Sequence, residues 1–78
     1  MTWFGISKVV GFLRKGLAIG IVFKDGTEID GLIVKESFID FAVLEKGKNV
    51  FLLRRVKTEK EWYLSELASP IEKIYRMS

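Results

Sequence analysis

The chain has 78 residues, of which 49% are hydrophobic; it has no cysteine and no histidine, and its formal net charge is +3. This length allows one domain, and the residue types exclude disulfides, thiolate nucleophiles and the commonest zinc ligands. Because a core of this size supplies only about 3–5 kcal/mol of net stability, a chain without such supports is expected to self-associate.

Residues 1–16 are predicted to form an amphipathic α-helix. Thr2 is a suitable N-cap, Gly16 a suitable end, and the apolar residues between them recur at helical spacing. Arg14 and Lys15 in the last turn suit the negative end of the helix dipole. A basic helix that begins with aromatic residues also permits attachment to a membrane surface, but packing on the chain's own barrel is the favoured use.

Residues 23–44 predict the centre of a small, strongly bent sheet. Asp25-Gly26 between two β-forming segments is a strong hairpin signal, because Gly26 can adopt the positive φ of a tight turn. Gly31 lies inside the next strand, where glycine indicates a sharp bend, so we interpret it as the corner of a barrel. Three strands are thus predicted, over residues 17–23, 27–35 and 38–45.

The second half of the chain predicts further strands. After a turn at residues 46–49, Val50 to Leu53 is apolar on both faces of its strand, which indicates cover by a second subunit on one side. Thr58 to Glu61 has the form of a helical capping box, but alternation of side chains favours a strand there. We predict strands over 50–56, 61–64 and 71–76, with a 3₁₀ turn over 65–69.

Part of this pattern resembles the first motif of the Sm-like family of RNA-binding proteins, which includes LSm and Hfq-like proteins. The resemblance covers residues 5–45 well and the remainder loosely. It implies a small SH3-like/Sm-like barrel of about five strands with an N-terminal α-helix, assembled into a ring through edge strands, with RNA held at a basic rim that here is Arg14 and Lys15. The residues that carry it are Phe23-Lys24-Asp25-Gly26, Gly31, Phe38-Ile39-Asp40-Phe41-Ala42-Val43-Leu44, and the segment from Phe12 to Ile19.

The residues with which the family reads bases are not matched. Ser37, Asp40 and Phe41 stand near the uridine-reading positions, and Val22 replaces an aromatic residue of the first strand. The second motif is matched only at Tyr63. The resemblance therefore implies the fold and the ring more strongly than any base preference.

Charged and aromatic residues supply candidate RNA-binding side chains. Residues 25–45 carry six acids and one base, whereas residues 46–60 carry six bases and one acid, so a basic pole that suits phosphate is expected, unless these blocks only keep subunits soluble or in register. Exposed rings, including Trp62, could stack on bases, although a core position for Phe38 and Phe41 is equally open. The candidates are Lys8, Arg14, Lys15, Phe38, Phe41, Lys46, Lys48, Arg54, Arg55 and Tyr63.

We expect a single Sm-like domain over residues 1–78, with a helix at 1–16 and a bent β-barrel at 17–76. No enzyme activity, cofactor, metal site or small-molecule substrate is expected, because the acids fall in no catalytic or metal-binding spacing. With no secretory signal and no uncharged run of roughly 18 residues, a cytoplasmic location is expected. The predicted function is RNA binding by a homo-oligomeric ring with a chaperone or regulatory role; the alternative is a non-catalytic protein-interaction or structural module.

Overall fold

Seven antiparallel strands form one curled sheet in the part of the chain that the computed structural model describes, residues 2–4, 13–38, 41–56, 61–65 and 69–77. The sheet order is β1-β7-β2-β3-β4-β5-β6. Because β6 also lies against β7, strands β2 to β7 form a nearly closed barrel, and the predicted small β-barrel is confirmed. The strands are β1 Thr2–Phe4, β2 Ala18–Phe23, β3 Glu28–Ser37, β4 Phe41–Lys46, β5 Asn49–Val56, β6 Glu61–Leu64 and β7 Ile71–Arg76.

The bend in β3 occurs at Gly31, as the sequence predicts. Ile19 of β2 pairs with Leu32, but Ile21 pairs with Ile29, so β3 is one residue longer than its partner at this point. Gly31 has a φ of 73°, in the left-handed region that glycine adopts at little steric cost. This bulge increases the local twist and curls the sheet, which confirms Gly31 as a corner of the barrel.

The β2–β3 turn also agrees with the sequence prediction. Gly26 has a φ of 92°, and its N–H donates to the carbonyl of Phe23 at 3.0 Å. The Asp25 carboxylate accepts hydrogen bonds from the Thr27 hydroxyl at 2.6 Å and the Thr27 N–H at 2.9 Å. These two bonds lower the pKa of the Asp25 carboxyl, and they hold the turn in place.

Alternate residues of the strands fill the barrel interior. Trp62, which the sequence left open as a base-stacking residue, is only 4% exposed and belongs to this core. The core consists of Leu13, Ile19, Ile21, Phe23, Leu32, Val34, Ala42, Leu44, Leu53, Trp62, Leu64, Ile71 and Ile74.

Polar contacts of Lys24 bridge the seam between β6 and β7, where the barrel closes. In the described residues these strands lie side by side without a hydrogen-bonded ladder, while β7 pairs with β1 over Ile74–Arg76. Across the seam, Lys24 Nζ lies 2.7 Å from Glu61 Oε1, and the Lys24 N–H donates to the carbonyl of Pro70 at 2.9 Å. The hydrogen bond to Glu61 raises the pKa of Lys24.

The helix predicted over residues 1–16 is wrong at both of its ends, while residues 5–12 lie outside the described part of the chain. Thr2–Phe4 is a strand paired with β7. Near Gly16, the N–H of Gly16 donates to the Val34 carbonyl at 2.8 Å and the Val34 N–H donates to the Leu17 carbonyl at 2.9 Å. Sheet pairing therefore satisfies these backbone groups, and none of the described residues 2–4 and 13–16 is helical.

Three further predictions concern residues 38–76. The predicted strands over 61–64 and 71–76 are confirmed. The third strand begins at Phe41 and not at Phe38. The Phe38 N–H donates to the Phe41 carbonyl at 2.7 Å, and residues 39 and 40 lie outside the described part of the chain. Of the predicted 3₁₀ turn, Ser65 is a turn residue and residues 66–68 lie outside the described part. Among the described residues, none belongs to a helix able to cross a membrane.

Candidate nucleic-acid interface

Four of the predicted RNA-binding side chains lie together on the outer face of the barrel. Phe41 of β4 is paired with Arg54 of β5, and Arg54 is paired with Tyr63 of β6. Directly paired residues point to the same face of a sheet, and since the residues beside them in these strands fill the core, these three point outward. Phe38 stacks on Phe41 at the end of this row. We call Phe38, Phe41, Arg54 and Tyr63 the aromatic strip.

The two phenylalanines of the strip form an exposed stack. Their ring centroids are 4.5 Å apart, and the planes are 21° from parallel. Phe38 is 48% exposed and Phe41 is 37% exposed, and neither belongs to the core, so the alternative role of these residues in the core is wrong. Ring surface held in water in this way is available for stacking by a planar ligand.

Arg54 supplies a positive charge in the middle of the strip. Its guanidinium carbon lies 5.6 Å from the centroid of the Tyr63 ring, within the range of a cation–π contact. This contact orients the side chain, which remains exposed, so its N–H groups can donate paired hydrogen bonds to a phosphate. Arg55 is also exposed, but it pairs with the buried Trp62 and points to the opposite side of β5.

The predicted basic rim lies near the phenylalanine end of the strip. Arg14 and Lys15 are exposed, and Lys15 Nζ lies 3.7 Å from Glu36 Oε1, two residues before Phe38. Both partners of this ion pair are exposed, so it contributes little and leaves Lys15 able to exchange Glu36 for a phosphate. Lys8, another predicted RNA-binding residue, lies outside the described residues.

Lys46 and Lys48 do not join the strip. Lys46 is the last residue of β4 and Phe41 the first, which places their backbones about 17 Å apart at about 3.3 Å per residue. Lys46 Nζ lies 3.8 Å from Asp30 Oδ1, and Lys48 is exposed in the β4–β5 turn. The predicted RNA-binding residues are therefore divided between two ends of the barrel.

Tyr75 is a buried tyrosine whose hydroxyl forms a polar contact that the sequence did not predict. Its side chain is 3% exposed, its ring covers Gly20, and its hydroxyl donates a hydrogen bond to Glu28 Oε2. This hydrogen bond and burial raise the pKa of Tyr75 to about 12. Tyr75 lies 47 positions from Glu28 and farther still from Gly20, and no local pattern marks these contacts. The Glu28 carboxylate therefore accepts a hydrogen bond from Tyr75 and has a role in the structure.

Comparison with known proteins identifies no relative. No family model, curated protein or solved structure matches the chain. Within the described residues, no three acidic side chains gather closely enough to hold a metal ion.

The aromatic strip can make two kinds of contact: stacking by its aromatic rings and hydrogen bonding by Arg54. Both favour a planar, negatively charged ligand.

Proposed function

We propose that this protein is a non-catalytic RNA-binding barrel that holds RNA on the aromatic strip, with Arg14 and Lys15 as a flanking rim. The observation that carries the proposal is the exposed Phe38–Phe41 stack in cross-strand register with Arg54. A chaperone-like or regulatory role in the cytoplasm, without turnover, belongs to the same proposal.

Membership of the Sm-like family is also part of this proposal. The barrel of strands β2 to β7, with its bend at Gly31, supports it. The aromatic strip includes Phe41 and Tyr63, which stand near positions with which the family reads bases, but the polar base-reading residues themselves are not matched. We therefore expect binding with little dependence on base sequence, since every base has a face that can stack.

The proposal assigns different tasks to the two kinds of side chain. The Phe38–Phe41 stack binds bases, and stacking of this kind contributes about 1–3 kcal/mol per base. Arg54 binds phosphate, so its contribution falls as salt rises and counterions compete. The free energy of RNA binding should thus have one part that depends on salt and one part that does not.

The test is the affinity of a fluorescent, mixed-sequence, single-stranded RNA, measured by anisotropy at several salt concentrations. Phe38→Ala should weaken binding about 5- to 150-fold, the equivalent of about 1–3 kcal/mol. Arg54→Ala should weaken binding and lower the salt slope by about one. The matched control is Arg76→Ala, which removes an exposed arginine from β7 and lies outside the strip. Equal losses at Arg54 and Arg76 would contradict the proposal.

A second variant separates the rim from the strip. Arg14→Glu combined with Lys15→Glu should abolish binding at moderate salt, because it reverses both charges of the rim. If this double variant binds as well as the wild type while Phe38→Ala does not, the rim takes no part. If neither change affects binding, the RNA proposal fails.

A protein-interaction module remains the second candidate function, and one observation favours it. Ile33, Val50 and Leu52 are exposed on the outer face of β3 and β5 at 38%, 65% and 40%. Apolar side chains gathered on one face are typical of protein contact sites. Absence of RNA binding, together with saturable binding of a protein, would favour this function.

A further inference from the structure

The exposed apolar residues of this chain are concentrated on one face. Of the six exposed large hydrophobic side chains in the described residues, all but Met77 lie on the outer face of β3, β4 and β5 or, for Phe38, stack on Phe41 of that face. Val43 and Leu52 are paired at the centre of this face. We call Ile33, Val43, Val50 and Leu52 the apolar face; it adjoins the aromatic strip and shares no residue with it.

Two opposite charges lie at the two ends of this face. Glu45 is paired with Val50 on one side and with Ile33 on the other, so a half-buried carboxylate sits within apolar neighbours. Within the described residues it forms no ion pair. Arg54 lies beyond Leu52, and strand geometry places its backbone about 14 Å from that of Glu45. The two residues therefore cannot pair within one chain.

We propose that a second copy of this chain docks on the apolar face about a two-fold axis. An axis in the plane of the face, perpendicular to the line from Glu45 to Arg54, brings Glu45 of each copy opposite Arg54 of the other. The pairing occurs twice, because a two-fold interface uses the same surface on both subunits.

The same axis passes over the centre of the apolar face. Val43 and Leu52 of one copy then face Val43 and Leu52 of the other, and water is removed from both surfaces. Burial strengthens the two flanking ion pairs, which in turn fix the orientation of the copies. Apolar side chains of one copy thus pack on apolar side chains of the other, and each Glu45 lies opposite an Arg54. The surface is therefore complementary to itself, which a partner of unrelated sequence would not match.

This mode of assembly differs from a ring joined through edge strands. Leu52 already exchanges hydrogen bonds with Ser65, whose N–H donates to the Leu52 carbonyl at 2.7 Å and whose Oγ accepts from the Leu52 N–H at 2.7 Å. Residues 53–56 of β5 pair with β6. The outward side chains of this stretch, Val50 and Leu52, therefore form the contact with the second copy, and an assembly of two copies satisfies the interface.

The test is the mass of the nucleic-acid-free protein, measured by sedimentation equilibrium over a wide concentration range. The wild type should be a dimer, and Leu52→Asp should raise its dissociation constant at least tenfold. Met77→Asp is the matched control, because Met77 is 41% exposed and lies outside the face; it should leave the dimer intact. Circular dichroism should show that both variants are folded.

Charge reversal tests the proposed axis. Glu45→Arg and Arg54→Glu should each weaken the dimer, and the chain carrying both changes should recover most of the wild-type affinity. A monomeric wild type overturns the proposal and leaves the face to another partner. A larger assembly that resists Leu52→Asp also overturns it and favours edge-strand contacts. Because no RNA is present, these outcomes are independent of the proposed RNA-binding function.

Discussion

The contact between Tyr75 and Gly20 yields a sharp prediction about packing on the outer face of β2 and β7. The two residues are directly paired, and the tyrosine ring occupies the space over the glycine. In Gly20→Ala the new Cβ would overlap the ring, with Cε1 only 2.6 Å away. The ring must then leave this position, and its hydrogen bond to Glu28 is lost.

The expected loss of stability follows from these two events. Overpacking costs about 1–3 kcal/mol, and loss of a hydrogen bond to a charged group costs about 1.5–3 kcal/mol. Together they lower the free energy of unfolding by about 2.5–6 kcal/mol, which is large for a domain of this size. Urea denaturation followed by circular dichroism measures the change.

A double-mutant cycle separates the overlap from other effects of Gly20→Ala. Tyr75→Val removes the ring, so adding Gly20→Ala to it should cost close to nothing. Tyr75→Phe is the control, because it removes the hydroxyl but keeps the ring carbons that the new methyl would meet. In that background Gly20→Ala should remain costly. Equal costs of Gly20→Ala in the wild-type and Tyr75→Val backgrounds would refute the reasoning.

Three further predictions concern the bend, the buried tyrosine and the shared arginine. Gly31→Ala should lower stability by about 1–2 kcal/mol because of its positive φ, and Gly31→Asn should cost less. Tyr75 should ionise in the folded protein near its raised pKa of about 12, seen by ultraviolet absorbance, so its stabilising contribution is complete below pH 10.0 and is lost as the pH rises toward 12. Saturating RNA should shift the proposed dimer toward monomer, because both use Arg54.

Each of these predictions has a contradicting result. Equal stability of Gly31→Ala and wild type would mean that the positive φ carries no cost. Tyr75→Phe should remove the tyrosine that ionises at high pH. If it removes a tyrosine with an ordinary pKa instead and leaves the rest of the alkaline titration unchanged, the hydrogen bond between Tyr75 and Glu28 is excluded. A dimer mass that is unchanged by saturating RNA would mean that RNA and the second copy of the chain do not compete for Arg54.

Local signals in the sequence were sufficient to predict the barrel. Asp25-Gly26 predicted the first hairpin and Gly31 the bend, because turns and bulges depend on the φ that a single residue can adopt. Alternation of side chains predicted the last two strands, even where a capping box at Thr58 also fitted a helix.

Features that depend on distant residues were not predictable. The pairing of Thr2–Phe4 with β7 joins the two ends of the described chain. No local period encodes it, so the helix prediction is wrong at Thr2–Phe4. The row from Phe41 through Arg54 to Tyr63 depends on two strand registers. The sequence supplied these residues as candidates, but only the sheet brings them together and separates them from Lys46 and Lys48.

The most direct measurement is a nuclear magnetic resonance titration of the labelled protein with short single-stranded RNA. The largest chemical-shift changes should occur at Phe38, Phe41, Arg54 and Tyr63, with smaller changes at Arg14 and Lys15 and almost none at Arg76. Changes that cluster on β7 or at the β4–β5 turn, or no changes at all, would contradict the proposal that the aromatic strip binds RNA.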